Sequence, residues 1–359
     1  MTLHIHKTLV VLIISLLAST HALARTMIYV SNADDGEIVV YELNLKNGGL
    51  SAQQTVAAGE SVMPLTVSPN KQKLYASIRS KPYSAVTFSI NQNNGKLTRL
   101  SQATIQNDIC FISTDKSGNY LLSSSYGGSK ITVNNINSAG EALTDNAKIY
   151  ATGLNAHAVL MDSSNRFLFV TNLGSDQILQ MKFNAETGEV TPNQPAAVKT
   201  QAGAGPRHLR FSPDNKFVYV LNEYDATVNV YAFDQNTGTL QEKQSILMAA
   251  NDYYEKPSAA EIQITPNGEH LYTSERRTNT LNLFKRDIKT GKLTFIKSFP
   301  TETKPRSFAI SPDGRYLLSA GQHSSHLSVY EIEKKTGHLQ FVKRYAVGNN
   351  PSWVEIVEL

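Results

Sequence analysis

In the stretch Gly203-Ala204-Gly205-Pro206-Arg207-His208-Leu209-Arg210-Phe211-Ser212-Pro213-Asp214, a turn carrying Arg207 and His208 leads into a short apolar run and a tight Ser-Pro-Asp turn. The run Phe217-Val218-Tyr219-Val220-Leu221-Asn222-Glu223 follows. Two such runs joined by a tight turn form an antiparallel hairpin, so the start of the first and the end of the second share one sheet edge. Arg207 and Glu223 are therefore expected at the same rim. A guanidinium presents a planar fork suited to a carboxylate or phosphate, and a nearby carboxylate can move a proton. The chemistry indicated is recognition of an anion combined with acid-base work.

The hairpin is one copy of a repeat, and its copies indicate the elements that must hold these residues. Second-strand runs centred on Tyr29, Tyr75, Leu122, Phe169, Tyr219, Tyr272 and Leu318 recur at spacings of 46 to 53 residues, and each is followed by another β-rich run and a glycine turn such as Thr237-Gly238-Thr239-Leu240 or Thr290-Gly291-Lys292-Leu293. Seven units of about four short strands predict an all-β fold, a seven-bladed β-propeller. The chain ends on Pro351-Ser352-Trp353-Val354-Glu355-Ile356-Val357, which reads as a first strand, and begins its repeats near Thr26 on a second strand. The N- and C-terminal strands are expected to complete one blade and close the ring, removing an open sheet edge.

With first strands starting at the top, the turns Ser68-Pro69-Asn70, Ser212-Pro213-Asp214, Thr265-Pro266-Asn267-Gly268 and Ser311-Pro312-Asp313-Gly314 fall at the bottom as fold punctuation. The top receives two rings of side chains. Starts of first strands contribute Met63, Cys110, His157, Arg207, Ala260, Arg306 and Ser352; ends of second strands contribute Ala33, Arg79, Tyr126, Leu173, Glu223, Arg276 and Gln322. His208 and Glu261 follow one residue behind the first ring. A structural ring would be small or apolar throughout; four arginines at one channel mouth predict an anion site. The connection 247–257 crosses the same face, either as a lid contributing Tyr253 or Tyr254 or as a tolerated long loop.

Composition bounds the remaining classes. The formal charge of +4 is spread without a long basic run, so no nucleic-acid surface is expected. Cys110 is the sole cysteine, which excludes an intrachain disulfide and a cysteine zinc site. Residues 1–24 carry Lys7, an apolar run from Leu9 to Leu17 and Ala22-Leu23-Ala24, the layout of a secretory signal peptide cleaved after Ala24. That apolar run is about half of what a membrane span needs. The expectation is a periplasmic or secreted monomer, one propeller over residues 25–359, with no membrane segment after cleavage.

Gly203-Ala204-Gly205-Pro206-Arg207-His208, Asn222-Glu223, Ala259-Ala260-Glu261-Ile262, Thr301-Glu302-Thr303-Lys304-Pro305-Arg306, Ala320-Gly321-Gln322 with His326-Leu327-Ser328-Val329-Tyr330-Glu331-Ile332, and Arg344-Tyr345-Ala346-Val347-Gly348 resemble the propeller-type bacterial 6-phosphogluconolactonases. That family, also called cycloisomerase 2, includes the fungal carboxy-cis,cis-muconate lactonising enzymes. The resemblance runs from about Met27 to Trp353. It implies a metal-free lactonase, with the roles of the family's histidine, two arginines and glutamate matching His157 in Asn155-Ala156-His157, Arg207 in Gly205-Pro206-Arg207-His208, Glu223 in Asn222-Glu223, and Arg276 in Ser274-Glu275-Arg276. Arg79, His208, Glu261, Arg306 and Gln322 are expected to bind substrate. One departure is Cys110-Phe111, where cytoplasmic members have Thr-His.

Opening a sugar lactone needs a base to activate water, a positive environment for the oxyanion and an acid for the departing ring oxygen. Glu223 or His157 can be the base; the preferred assignment makes Glu223 the base or relay and His157 the acid, with Arg207 and Arg276 on the oxyanion or substrate anion. No cofactor is called for. Three other readings stand beside it: a lactonising cycloisomerase acting on a muconate, a non-catalytic exported propeller that binds a ligand or protein, and a calcium-dependent gluconolactonase using Asn172, Asn222 and Glu223.

Overall fold

The computed structural model describes residues 24–248 and 256–359. The leader expected over 1–24 lies, apart from Ala24, outside the described residues, and so do Tyr253 and Tyr254 of the 247–257 connection. Twenty-eight strands form seven four-stranded antiparallel sheets. Among the described residues the one helical element is a single 3-10 turn, Leu173–Ser175, and no helix is long and apolar enough to cross a membrane.

Blades 1 to 6 run in chain order, with inner strands Val62–Val67, Ile109–Thr114, Ala156–Met161, Pro206–Phe211, Ala259–Ile264 and Pro305–Ile310. Blade 7 joins the ends of the chain: Pro351–Glu358 is its inner strand and pairs antiparallel with Thr26–Asn32, from Thr26 opposite Glu358 to Asn32 opposite Pro351. The closure read from the termini is thus observed. Inner strands of neighbouring blades touch all the way round the ring, blade 7 against blade 1 included, so they line an axial channel. The second strands are buried on both faces; Thr26–Asn32, Phe217–Asn222 and His270–Glu275 have no exposed residue. This explains their near-continuous apolar runs, while outer strands such as Gly49–Ala57 mix polar and apolar residues and have no fully buried one.

The repeated punctuation has a common physical role at the lower face. Ser212 Oγ donates to Asp214 Oδ1 (2.5 Å) and accepts from the Phe217 amide (3.0 Å), and Ser311, Asp313 and Tyr316 repeat the arrangement. Tyrosines of the second strands reach into the glycine turn of the next blade: Tyr29 Oη donates to Gly95 O (2.9 Å), Tyr75 to Gly140 (2.9 Å), Tyr219 to Gly291 (2.9 Å) and Tyr272 to Gly337 (2.5 Å). Gly291 shows why the turn needs glycine. Its φ is +73°, and a Cβ there would lie 2.3 Å from the Phe217 ring.

Candidate active site

At the upper end, each inner strand carries a β-bulge, and in all seven blades it contains the first-ring residue. Pairing slips between Val62 and Leu65, Ile109 and Phe111, Ala156 and Val159, Pro206 and His208, Ala259 and Ile262, Pro305 and Ser307, and between the Pro351 and Trp353 partners of blade 7. A bulge places two residues opposite one and re-aims their side chains. Consecutive residues of a regular strand point to opposite faces; at this bulge Arg207 Nη1 lies 3.3 Å from His208 Nε2.

Glu223 is the carboxylate at the centre. Its Oε2 is 2.9 Å from Arg207 Nε and its Oε1 is 2.8 Å from Arg276 Nη2. Arg276 is held further by its Nε donating to Ser258 O (3.0 Å), and the turn that carries it is tied by Glu275, which accepts from the Ser258, Arg277 and Thr278 amides. Arg207 also donates through Nη1 to Ala260 O. Its contact with Glu223 lies off the N–H axis, so the Nε–H makes no aligned hydrogen bond. Burial, with Arg276 beside it, pulls the Arg207 guanidinium down to about 10.

His157 is buried against Tyr126 and His208, at ring-centroid distances of 6.1 and 5.0 Å. Among the described residues its Nδ1 is sealed from solvent without a hydrogen-bond partner. Burial first, then the charges of Arg207 and nearby groups, holds its imidazole well below the ordinary 6.5, so it is neutral near pH 7. Arg306 makes no ion pair among the described residues; burial and then Arg207, Arg276 and Arg79 push its guanidinium well below the usual value. Arg79 is paired with Asp108 at 2.9 Å, with its Nε buried and unpartnered.

The structure therefore gathers Arg207, Glu223, Arg276 and His157, with Arg306 and Arg79 in electrostatic reach. Three residues expected to bind substrate have contacts of their own. His208 and Glu261 are each 1% exposed, as buried as Arg207, and face each other with His208 Nδ1 3.1 Å from Glu261 Oε1. Gln322 spends its amide on Asn350 Oδ1 (2.9 Å) and Ser352 Oγ (3.3 Å) across the closing seam. Cys110 is a buried thiol pointing at the His157 carbonyl (3.2 Å), and Phe111 packs edge-on against His208 and Trp353, so the Cys-Phe pair contributes a wall. As for the calcium alternative, both Glu223 oxygens face guanidinium groups.

Sequence reasoning missed Asp108 and Tyr224. Tyr224 packs its ring over Gly205, where φ is +70° and a Cβ would meet the ring at 2.7 Å, and its hydroxyl is 3.5 Å from that of Tyr126. The Lys256 ammonium caps the same ring at 3.7 Å. The available signals were the position of Tyr126 in the second ring and the glycine two residues before Arg207.

A seven-bladed propeller with arginines, a carboxylate and a neutral histidine at one mouth of its channel defines the class. Residues 27–356 match the family described as lactonase, 7-bladed beta-propeller, and the chain belongs to that family. It is 36% identical over 336 residues to the 6-phosphogluconolactonase of Pectobacterium carotovorum subsp. carotovorum (strain PC1), covering 93% of this chain and 99% of that one. It is 34% identical over 335 residues to the 6-phosphogluconolactonase of Xenorhabdus nematophila, covering 93% and 100%. The structure of Pseudomonas aeruginosa periplasmic gluconolactonase, PpgL, superposes with a TM-score of 0.85 at 25% identity, covering 93% of this chain and 99% of that chain.

Proposed function

We propose that this protein hydrolyses a sugar lactone at the upper mouth of its channel, with 6-phosphogluconolactone or a related aldonolactone as substrate. The observation that carries the reading is a cluster of unspent polar groups around Arg207: among the described residues its Nε and His157 Nδ1 are buried without aligned partners, next to a Glu223 clamped by two arginines. Buried polar groups are normally satisfied, and a cluster of exceptions marks a place where a ligand completes the bonding. Charge points to the kind of ligand. Among the described residues, four arginines (Arg79, Arg207, Arg276, Arg306) face two carboxylates (Asp108, Glu223), leaving two positive charges over, which suits a phosphate dianion.

In this reading neutral His157 takes a proton from water as the water oxygen bonds to the lactone carbonyl carbon. Arg207 and Arg276 stabilise the oxyanion. As the carbonyl re-forms, the bond to the ring oxygen breaks, and protonated His157 returns its proton to that oxygen, leaving a hydroxy acid as its carboxylate and a proton. Glu223 orients the two arginines. The role of acid foreseen for His157 thus becomes the second half of its cycle, and the role of base moves to it from Glu223, whose two oxygens are engaged.

Export with cleavage after Ala24 belongs to the same proposal. Among the described residues Arg25 is the first to join the ring, exchanging backbone hydrogen bonds with Leu359 (3.3 and 2.8 Å), so the closing blade is complete from the residue after the proposed cleavage point. PpgL, the similar structure, is named as periplasmic. The test is hydrolysis of 6-phospho-δ-gluconolactone and of δ-gluconolactone by residues 25–359, with a protein-free blank measuring the spontaneous background and Glu223→Gln as the site variant. Acceleration of the phosphorylated lactone that is lost in the variant supports the reading; wild-type rates equal to background on both substrates overturn it.

A further inference from the structure

Beneath the reacting groups lies a second layer that nothing so far uses. His208 Nε2 faces Arg207 Nη1 at 3.3 Å, and its Nδ1 lies 3.1 Å from Glu261 Oε1, a charge contact without an aligned hydrogen bond. A guanidinium only donates, so Nε2 must be the unprotonated nitrogen and Nδ1 carries the hydrogen. The same Glu261 oxygen accepts from Arg210 Nη2 (3.1 Å) and from the Ile262 amide (2.9 Å), while the Glu261 amide donates to Ser274 Oγ (3.0 Å). Glu261 is therefore pinned from both flanking strands. Below it the channel opens into a cavity of about 200 Å³ lined in part by Arg210, Gln263, Trp353 and Glu355.

We infer that Glu261 is a positioning residue for this lactonase: it fixes the tautomer and rotation of His208, and through His208 the orientation in which the Arg207 guanidinium meets substrate. The inference rests on the lactonase reading for its kinetic consequence, though not for its structural one. Arg207 is anchored at three points, by Ala260 O, His208 Nε2 and Glu223. Only the middle one depends on a ring that can rotate or change tautomer. Without Glu261, the His208 hydrogen can move to Nε2, where it would point at the guanidinium and repel it. A shift of about 1 Å in a group that positions a reacting centre can cost on the order of a hundredfold.

Because one oxygen receives all three contacts, Glu261→Gln can keep them by placing its amide oxygen there. Glu261→Ala should lower kcat on 6-phospho-δ-gluconolactone by roughly a hundredfold with KM unchanged, and Glu261→Gln should restore most of it. The double variant Glu261→Ala/His208→Ala should be no slower than His208→Ala alone, since a residue acting through another adds nothing once that other is gone. Independently of activity, the 15N imidazole spectrum should show His208 as the Nδ1–H tautomer in wild type and Glu261→Gln, and as Nε2–H in Glu261→Ala. Additive losses in the double variant, or an unchanged tautomer in Glu261→Ala, overturn the inference. Absence of turnover in the wild type instead removes the lactonase reading and leaves the tautomer result standing. The groups facing Glu261 are Arg207, His208 and Arg210 of blade 4, Arg306 of blade 6 and Glu355 of blade 7. A loss of folding common to Glu261→Gln and Glu261→Ala would assign Glu261 to stability and also overturn the proposal.

Discussion

The two ends of the axial channel are built from the same strands and spend their polar groups differently. At the lower face, Ser-Pro-Asp turns and tyrosine-to-glycine-turn bonds close on one another, and the same pairing recurs from blade to blade. At the upper face the bulges interrupt the ladder in every blade, and among the described residues Arg79 Nε, His157 Nδ1 and Arg207 Nε are buried without aligned partners. A regular ladder satisfies itself, whereas a bulge leaves groups free to meet a ligand. The fold thus carries its stability at one rim and its reactivity at the other.

The sharpest test of that division is the seam on which both rims depend. Deleting 352–359 removes most of the inner strand of blade 7 and the partner of Thr26–Asn32; a cooperative melting transition should disappear, and a truncated protein melting like the full chain would break the comparison. Next come upper-rim variants. Arg207→Ala and Arg276→Ala should each reduce kcat by about a hundredfold or more, the loss of about 3 to 4 kcal/mol typical of an oxyanion donor. Steady-state kinetics on the phosphorylated lactone read this directly, and full activity in both would move the chemistry elsewhere.

Acidification should distinguish the rims as well. His157 and His208 are buried and held neutral, below the ordinary 6.5 of the unfolded chain. Below about pH 6.5 the unfolded chain takes up protons that the folded one refuses, so stability is complete above that pH and falls beneath it, by up to about 1.4 kcal/mol per pH unit for each histidine. Melting temperature against pH should bend downward there, and His157→Gln should flatten part of the bend. The kcat profile should stay level through pH 6.5, because a base with a depressed pKa remains unprotonated. The smallest effect is expected at the lower face: Tyr272→Phe removes one hydrogen bond to Gly337 O, costing about 1 kcal/mol of stability with kcat unchanged. A kinetic defect in that variant would show that the two rims are coupled.

Much of this was legible in the residues alone. Seven copies of an apolar run at a near-constant period, each with its glycine turn, define a ring of blades because four short strands cannot bury both faces unless a neighbour covers them. The order of first and second strands also sufficed to put Arg207, Glu223, Arg276 and His157 on one rim, since antiparallel pairing alone decides which strand ends coincide. What sequence could not supply is the direction of side chains at that rim. Alternation sends Arg207 and His208 to opposite faces, and the bulge brings them into contact, with His208 in turn against Glu261. Nor could it pair Arg79 with Asp108, or leave Arg306 without a carboxylate partner among the described residues, since those outcomes depend on which blades meet across the channel. Periodicity is a local property and survives in the sequence. Bulge geometry and the sharing of charge among blades far apart in the chain exist only once the ring has closed.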